Sequence, residues 1–279
     1  MKILHLITTI DRGGAENHLS CLARGQKLKN NDVTVIYLKG NNYWKKFLNS
    51  KGIKCINLSK ISPSKLNLIK KIFFIRSFII KNKIDILHSH LPHMELISWF
   101  VLIFSNFKLK YFITKHLDNN MFGGSNYKSN SLIADIIYFI ITKKTKKIIC
   151  ISKAVKNYYL NNFFSVKDKL KIIYYGIDKN YSKNLKSKIK IKNIPPKEIV
   201  FGSVGRLAKQ KNVKLIIQSY KNFCNKTKIS SCLVIAGDGP EKIELKKFAR
   251  SINIHQKIIW LGHVNNVGDI FNKIDVFCM

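Results

Sequence analysis

Acidic residues are scarce in this chain. Its 279 residues carry 15 Asp and Glu against 50 Lys and Arg, a formal charge of +35. Arginine is scarce as well: five of the 50 basic residues are Arg and the other 45 are Lys. A nucleic-acid surface more often clusters Arg, whose planar fork matches phosphates and base edges. Here Lys is spread over the whole length, so most of the charge reads as compositional bias acting on solubility and surface, and no nucleic-acid partner is expected. A Lys-rich surface also favours an anionic membrane leaflet. The six cysteines form no C-x-x-C pair and sit mostly in apolar contexts. That excludes a disulfide framework and points to reduced, buried thiols in a cytoplasmic protein. The N-terminus MKILHLITTI is too short in its apolar stretch for a signal peptide and has no small-residue cleavage site. No run reaches the roughly 18 apolar residues of a membrane span. The closest, LISWFVLIF at 96–104, reads as a buried helix. There is no G-x-G-x-x-G, no Walker A motif and no Asp-x-Asp, so nicotinamide, ATP and Asp-x-Asp metal readings lose their main support.

What is present is a regular alternation of β-rich runs and helical patterns, on an apolar fraction of 46% that supplies real cores. Strands are expected at 2–8, 32–38, 53–58, 84–90, 110–115, 147–152 and 170–176, then at 198–204, 231–237, 257–262 and from Asp275 onward. Between the two groups, 179–197 is polar, Lys-rich and closes on Pro195-Pro196, which marks a connection. Helical faces follow in the second group: Val213, Ile216, Ile217 and Tyr220, then Leu245, Phe248, Ala249 and Ile252. The expected fold class is α/β, with two doubly wound parallel-sheet domains over 1–178 and 198–279 joined by the linker 179–197. Such sheets bind ligands at the carboxyl ends of their strands. The segment 65–83, KLNLIKKIFFIRSFIIKNK, is basic and aromatic on a helical period; a helix on the sheet and a helix on a membrane surface both fit it.

Several candidates lie at strand ends. Gly13-Gly14 follow the first strand and open a helix, which suits close approach of a phosphate or sugar to backbone N–H groups. Glu16 stands in the same turn. The fourth strand delivers His88 and His90, with His93 beyond, and the fifth delivers His116. Histidines there can hydrogen-bond phosphate or substrate hydroxyls. A zinc reading of His88, His90 and His93 suffers from poor spacing and has only Glu95 nearby. In VGRLAKQKN, Arg206 follows a strand and Lys211 stands at the mouth of the next helix. A rigid fork, a mobile cation and a helix dipole together suit a diphosphate, while Lys209 reads as a solvated lysine. IAGDGPE, at 235–241, repeats the pattern of strand and Gly-rich turn, with Pro240 expected at a first helical position.

The order of these segments resembles the GT-B-fold retaining glycosyltransferases of family 4 (glycosyl transferases group 1). The matching stretches are GGAE (13–16), DILHSH (85–90), TKH (114–116), ICISKAV (149–155), IIYYGID (172–178), GSVGRLAKQKN (202–212), IAGDGPE (235–241) and IWLGHV (259–264). The resemblance implies transfer of a sugar from a UDP- or GDP-sugar to a cell-envelope glycan or lipid-linked acceptor, with retention and without a metal or other cofactor. It implies that Gly14, Arg206 and Lys211 bind the donor diphosphate and that His116 sits by the transferred sugar as the catalytic residue. Gly13, Glu16, His88 and His90 are cleft candidates. Asn212 stands where the family usually has Gly. The family's next motif, a Glu pair, would follow the strand at Asp275, so the resemblance predicts a C-terminally truncated form, weak or inactive alone. The alternatives are a non-catalytic nucleotide-sugar-binding or partner-completed subunit and, less well matched, a nucleotide-sugar epimerase. The expected location is the cytoplasm, with peripheral contact at the inner face of the cell membrane.

Overall fold

The computed structural model describes residues 1–61, 68–103, 107–117, 132–176, 198–264 and 267–279. The chain divides into two compact units, Met1–Ile177 and Asp178–Met279. The linker expected at 179–197 lies outside the described residues.

In the first unit the strands are β1 (Lys2–Ile7), β2 (Asp32–Tyr37), β3 (Lys54–Asn57), β4 (Ile86–His90), β5 (Lys110–Lys115), β6 (Lys147–Cys150) and β7 (Leu170–Ile172). Among the described residues they form one parallel sheet in the order β3-β2-β1-β4-β5-β6-β7. β1 and β2 are buried at every position after the first, as expected of parallel strands covered on both faces. The helices are α1 (Gly14–Leu28), α2 (Lys45–Ser50), α3 (Leu68–Asn82), α4 (Pro92–Ile103), α5 (Leu132–Thr142) and α6 (Lys153–Asn162). Alternation along the strands sorts the core into two layers. Leu4, Leu6, Leu87 and Ile113 pack with residues of α3, α4 and α6. Ile3, Ile7, Val33 and Val35 pack with Leu19 and Ala23 of α1 and Leu48 of α2. The strand order reverses between β1 and β4, so their carboxyl ends mark the switch point where a doubly wound sheet opens a crevice.

The second unit carries β8 (Ile199–Val204), β9 (Ser231–Ala236), β10 (Ile258–Gly262) and β11 (Val276–Phe277), in the order β10-β9-β8-β11 among the described residues. α7 (Val213–Lys226) and α8 (Lys242–Ser251) cover it, and α9 (Gly268–Phe271) precedes β11. Val213, Ile217, Tyr220, Leu245 and Ala249 are buried against Leu233 and Ile235, which confirms both helical faces read from the sequence. One helix start differs. α8 begins at Lys242 with Glu241 as its cap, so Pro240 lies in the preceding turn and not at a first helical position. The turn is pinned from elsewhere: the Glu241 N–H donates to the Leu207 carbonyl at 3.1 Å.

Candidate functional site

Histidines meet at the switch point of the first sheet. His5 and His88 are Cα partners across β1 and β4, and His90 lies two residues further along the same face. All three are buried, as is His116 just beyond β5. His90 is the last residue of β4 and fully buried. His93 is exposed in the first turn of α4 and takes no part.

These rings form a hydrogen-bonded chain with a direction. The Gln26 side-chain carbonyl accepts from His5 Nε2–H at 2.7 Å. A neutral ring then has a bare Nδ1, which accepts from His90 Nε2–H at 3.2 Å. His90 Nδ1 accepts from His116 Nε2–H at 3.1 Å, and His116 Nδ1 accepts from the Tyr175 hydroxyl. His88 Nε2 pairs with Thr114 Oγ1 at 2.7 Å. His18, on α1, stacks on Tyr175 with ring centroids 3.9 Å apart. Burial keeps every one of these rings neutral. It lowers His5 and His18 to about 4 and His116 to about 3, with the charge of neighbouring rings adding to the shift at His5 and His116. His88 and His90 are pushed well below 6.5, first by burial and then by the other histidines.

Among the described residues, nitrogens of His5, His88 and His90 lie within 4.8 Å of one another, a grouping that brings in His5 where the sequence had offered His93. Both nitrogens of His5 and of His90 are already taken by hydrogen bonds, so an ion there would have to break the chain. Both nitrogens of His116 are engaged as well.

Beside this chain, Gly13 caps α1 in an extended conformation and makes no side-chain cap bond. Glu16 folds back over it: a Cβ added at Gly13 would lie 2.2 Å from Glu16 Oε2. Thr9 Oγ1 donates to Glu16 Oε1 at 2.5 Å. Gly14 faces open space, with nothing within 4 Å of an added Cβ. Behind His116, the buried Lys115 Nζ donates to Glu95 Oε2 at 2.5 Å and lies 4.8 Å and 4.9 Å from the Tyr138 and Tyr159 ring centroids. Burial opposes the charge on Lys115, but the carboxylate of Glu95 outweighs it and the ammonium is held above its ordinary range.

In the second unit, Arg206 and Lys211 stand exposed on the loop between β8 and α7. The backbone of that loop is locked to the next one. Gly205 N–H donates to the Ala236 carbonyl at 2.9 Å and Leu207 N–H to the Asp238 carbonyl at 3.0 Å. Gly237 has φ +147, and a Cβ there would lie 1.8 Å from the Gly205 carbonyl oxygen; at Gly239 it would lie 2.3 Å from that of Leu207. Leu207 is buried, so Arg206 is carried on an anchored backbone. Lys209–Lys211 make a turn of 3-10 helix, and Asn212 adopts the left-handed conformation, φ 43 and ψ 44, that leads into α7. Asn tolerates this region better than most residues, which accounts for its standing in place of Gly. Lys211 therefore precedes the N-terminus of α7 by two residues, where the helix dipole adds positive potential.

Residues 12–181 match the family model described as Glycosyltransferase Family 4, and residues 184–279 match Glycosyl transferases group 1. The chain belongs to the family 4 glycosyltransferases. It is similar to the O-antigen biosynthesis glycosyltransferase WclY of Escherichia coli, 27% identical over 231 residues, covering 81% of this chain and 60% of WclY. This family 4 chain thus spans about three fifths of that relative's length. It is also similar to a Campylobacter jejuni N-acetylgalactosaminyltransferase named for a diphospho-undecaprenol-linked substrate, 32% identical over 148 residues, covering 53% of this chain and 38% of the relative. Among solved structures, Anabaena HepE in complex with UDP and glucose superposes with a TM-score of 0.75 at 15% identity, over 99% of this chain and 73% of HepE. A Rickettsia africae glycosyltransferase superposes at 0.78 and 17% identity, over 99% and 72%. These likenesses establish the GT-B fold.

Of the residues singled out from the sequence, the first unit gathers Gly13, Glu16, His88, His90 and His116 at one switch point, and the second sets Arg206 and Lys211 on one anchored loop. Sequence reasoning missed His5, His18, Gln26 and Tyr175. Gln26 carried a legible signal: it follows Leu19 by seven residues and Ala23 by three, a polar residue on the sheet-facing side of α1.

Proposed function

We propose that this glycosyltransferase moves a sugar from a UDP- or GDP-sugar to a cell-envelope glycan or lipid-linked acceptor, with retention at the anomeric carbon. The observation that carries the reading is the anchored loop bearing Arg206 and Lys211. When the bond between sugar and diphosphate breaks, negative charge builds on the leaving diphosphate. Two fixed cations next to a helix N-terminus lower that barrier most when they need no rearrangement, and the interlock with Gly237 and Gly239 supplies this preorganisation. In this reading the two cations take the part of a metal, and no cofactor enters. Gly14 leaves room for the donor to approach the N-terminus of α1. His116, neutral and oriented through His90 and His5, takes a hydroxyl of the transferred sugar on Nδ1 in place of Tyr175.

The names of the relatives support the acceptor class, and HepE, solved with UDP and glucose, supports the donor class. Among the described residues no helix is long and apolar enough to cross a membrane. We place the reaction in the cytoplasm, at the inner face of the cell membrane. The test is transfer of radiolabelled sugar from UDP- and GDP-sugars to extracted envelope acceptors. Arg206→Ala should lower transfer by about a hundredfold, the usual loss for one preorganised charge-stabilising donor. Undiminished transfer by Arg206→Ala and Lys211→Ala would reject the reading, and donor binding without transfer would favour a non-catalytic binding subunit.

A further inference from the structure

Between Asp32 and Asp85 the sequence holds no acidic residue but twelve Lys and Arg. α3 lies in this stretch and is the helix that the sequence left divided between a sheet and a membrane surface. Ile75 and Ile79 are its buried contacts with the core. Its other side is unusual for a helix facing water. Ile69, Phe73 and Ile80, spaced by four and seven residues on one ridge, are 66%, 60% and 58% exposed. Lys70 and Lys81 are exposed beside this ridge. An open groove of about 480 Å³ runs between α3 and α4, lined by Ile69, Ile72, Phe73, Phe100 and Val101, with Arg76 as its charged member. α4 packs between α3 and α5, and α5 also leaves Ile136, Phe139 and Ile140 exposed, followed by the exposed Lys143 and Lys144. Apolar ridges flanked by cations, with no acidic residue on α3, match a surface that is apolar beneath and negative at its face.

We propose that the face formed by α3 and α4 docks on an anionic lipid bilayer. Ile69, Phe73 and Ile80 enter the headgroup–acyl boundary, and Lys70 and Lys81 meet lipid phosphates. α3 has 15 residues and lies in the plane of the interface. Charge complementarity favours this occupant over a second copy of the chain. A two-fold dimer would set the acid-free, Lys-rich stretch against itself, cation facing cation. The surface deepens the reading of a lipid-linked acceptor and rests on that reading only for its purpose: it would hold the enzyme where such acceptors lie.

A charge of +35 alone attracts negative vesicles, so the test must separate apolar insertion from adsorption. The full chain is sedimented with phosphatidylglycerol–phosphatidylcholine vesicles and with pure phosphatidylcholine vesicles, at physiological salt and without any sugar. Wild type should partition to the anionic vesicles. The double variant Ile69→Ser/Phe73→Ser removes no charge and should partition about tenfold more weakly, because lost apolar burial acts on both affinity and depth. The control pair Leu215→Ser/Ile243→Ser, equally exposed in the second unit, should partition as wild type. Equal partitioning of Ile69→Ser/Phe73→Ser and wild type would overturn the proposal, as would no binding of wild type. Light scattering that shows a dimer dispersed by the same pair would overturn it in favour of self-association. All four substituted positions are exposed, so the variants should melt as wild type does. A negative vesicle result with sugar transfer intact would reject this surface and leave the transferase reading standing.

Discussion

Gln26 occupies a sheet-facing position of α1, in step with Leu19 and Ala23, and starts a chain of imidazoles that ends at Tyr175. Its carbonyl fixes which nitrogen of His5 holds a proton, and that choice passes through His90 to His116. The sequence showed His88, His90 and His116 because they lie at or near the carboxyl ends of strands. It hid His5, because a histidine inside KILHLI looks like an interruption of an apolar strand until the β1–β4 register sets it opposite His88. The chain has a consequence for stability. Well above the ordinary imidazole pKa of about 6.5 the rings are neutral in the folded and unfolded chain alike, and pH has no hold on them. Below that, the unfolded chain takes up protons that the folded one refuses until about pH 4 at His5 and about pH 3 at His116, with His88 and His90 also held well below the ordinary imidazole range by burial. Stability therefore falls as pH falls, each such proton steepening the slope by about 1.4 kcal/mol per pH unit. Urea midpoints should be level above about pH 7 and drop steeply toward about pH 5. A midpoint unchanged through that lower range would mean the buried rings protonate freely.

At the scale of elements, the two Gly-containing turns have different work. Gly14 leaves space and Gly13 lies under the Glu16 carboxylate, whereas Gly237 and Gly239 are pressed against the backbone of Gly205 and Leu207. The sequence read both as turns at strand ends and could not distinguish them, since the contact is between backbones from two separate loops. Substitution separates them. Gly237→Ala drives a Cβ into a carbonyl oxygen at a positive φ and should lower stability by about 2 kcal/mol or more, moving Arg206 with it. Gly14→Ala meets no neighbour and should change stability by less than about 0.5 kcal/mol, yet lower sugar transfer by obstructing the donor. Thermal melts and transfer assays on the two variants check this. Equal melts would contradict the interlock, and full transfer by Gly14→Ala would remove that residue from the site. The strand positions themselves were legible because parallel strands buried on both faces are written as continuous apolar runs. Lys211 stands at the helix mouth as read, two residues before α7, but in a turn of 3-10 helix that periodicity did not show, closed by Asn212 in the left-handed conformation.

At the scale of the molecule, the restart of strand–helix alternation after Pro195-Pro196 foretold two sheets, and the chain holds two compact units. Strand order within each sheet was not legible, since periodicity identifies strands without saying which neighbour each one takes. The overall charge was visible, but its shape was not. Diffuse lysine looked like bias until α3 displayed apolar side chains inside the stretch that lacks acidic residues. The central claim is that the chain grips a nucleoside diphosphate through Arg206 and Lys211. The direct measurement is calorimetric titration of wild type, Arg206→Ala and Lys211→Ala with UDP and with GDP. The account predicts that wild type binds one of the two and that each substitution weakens binding by about tenfold or more, the scale of a lost charge-assisted contact. Equal affinity in all three proteins, or no binding of either nucleotide by wild type, would contradict it.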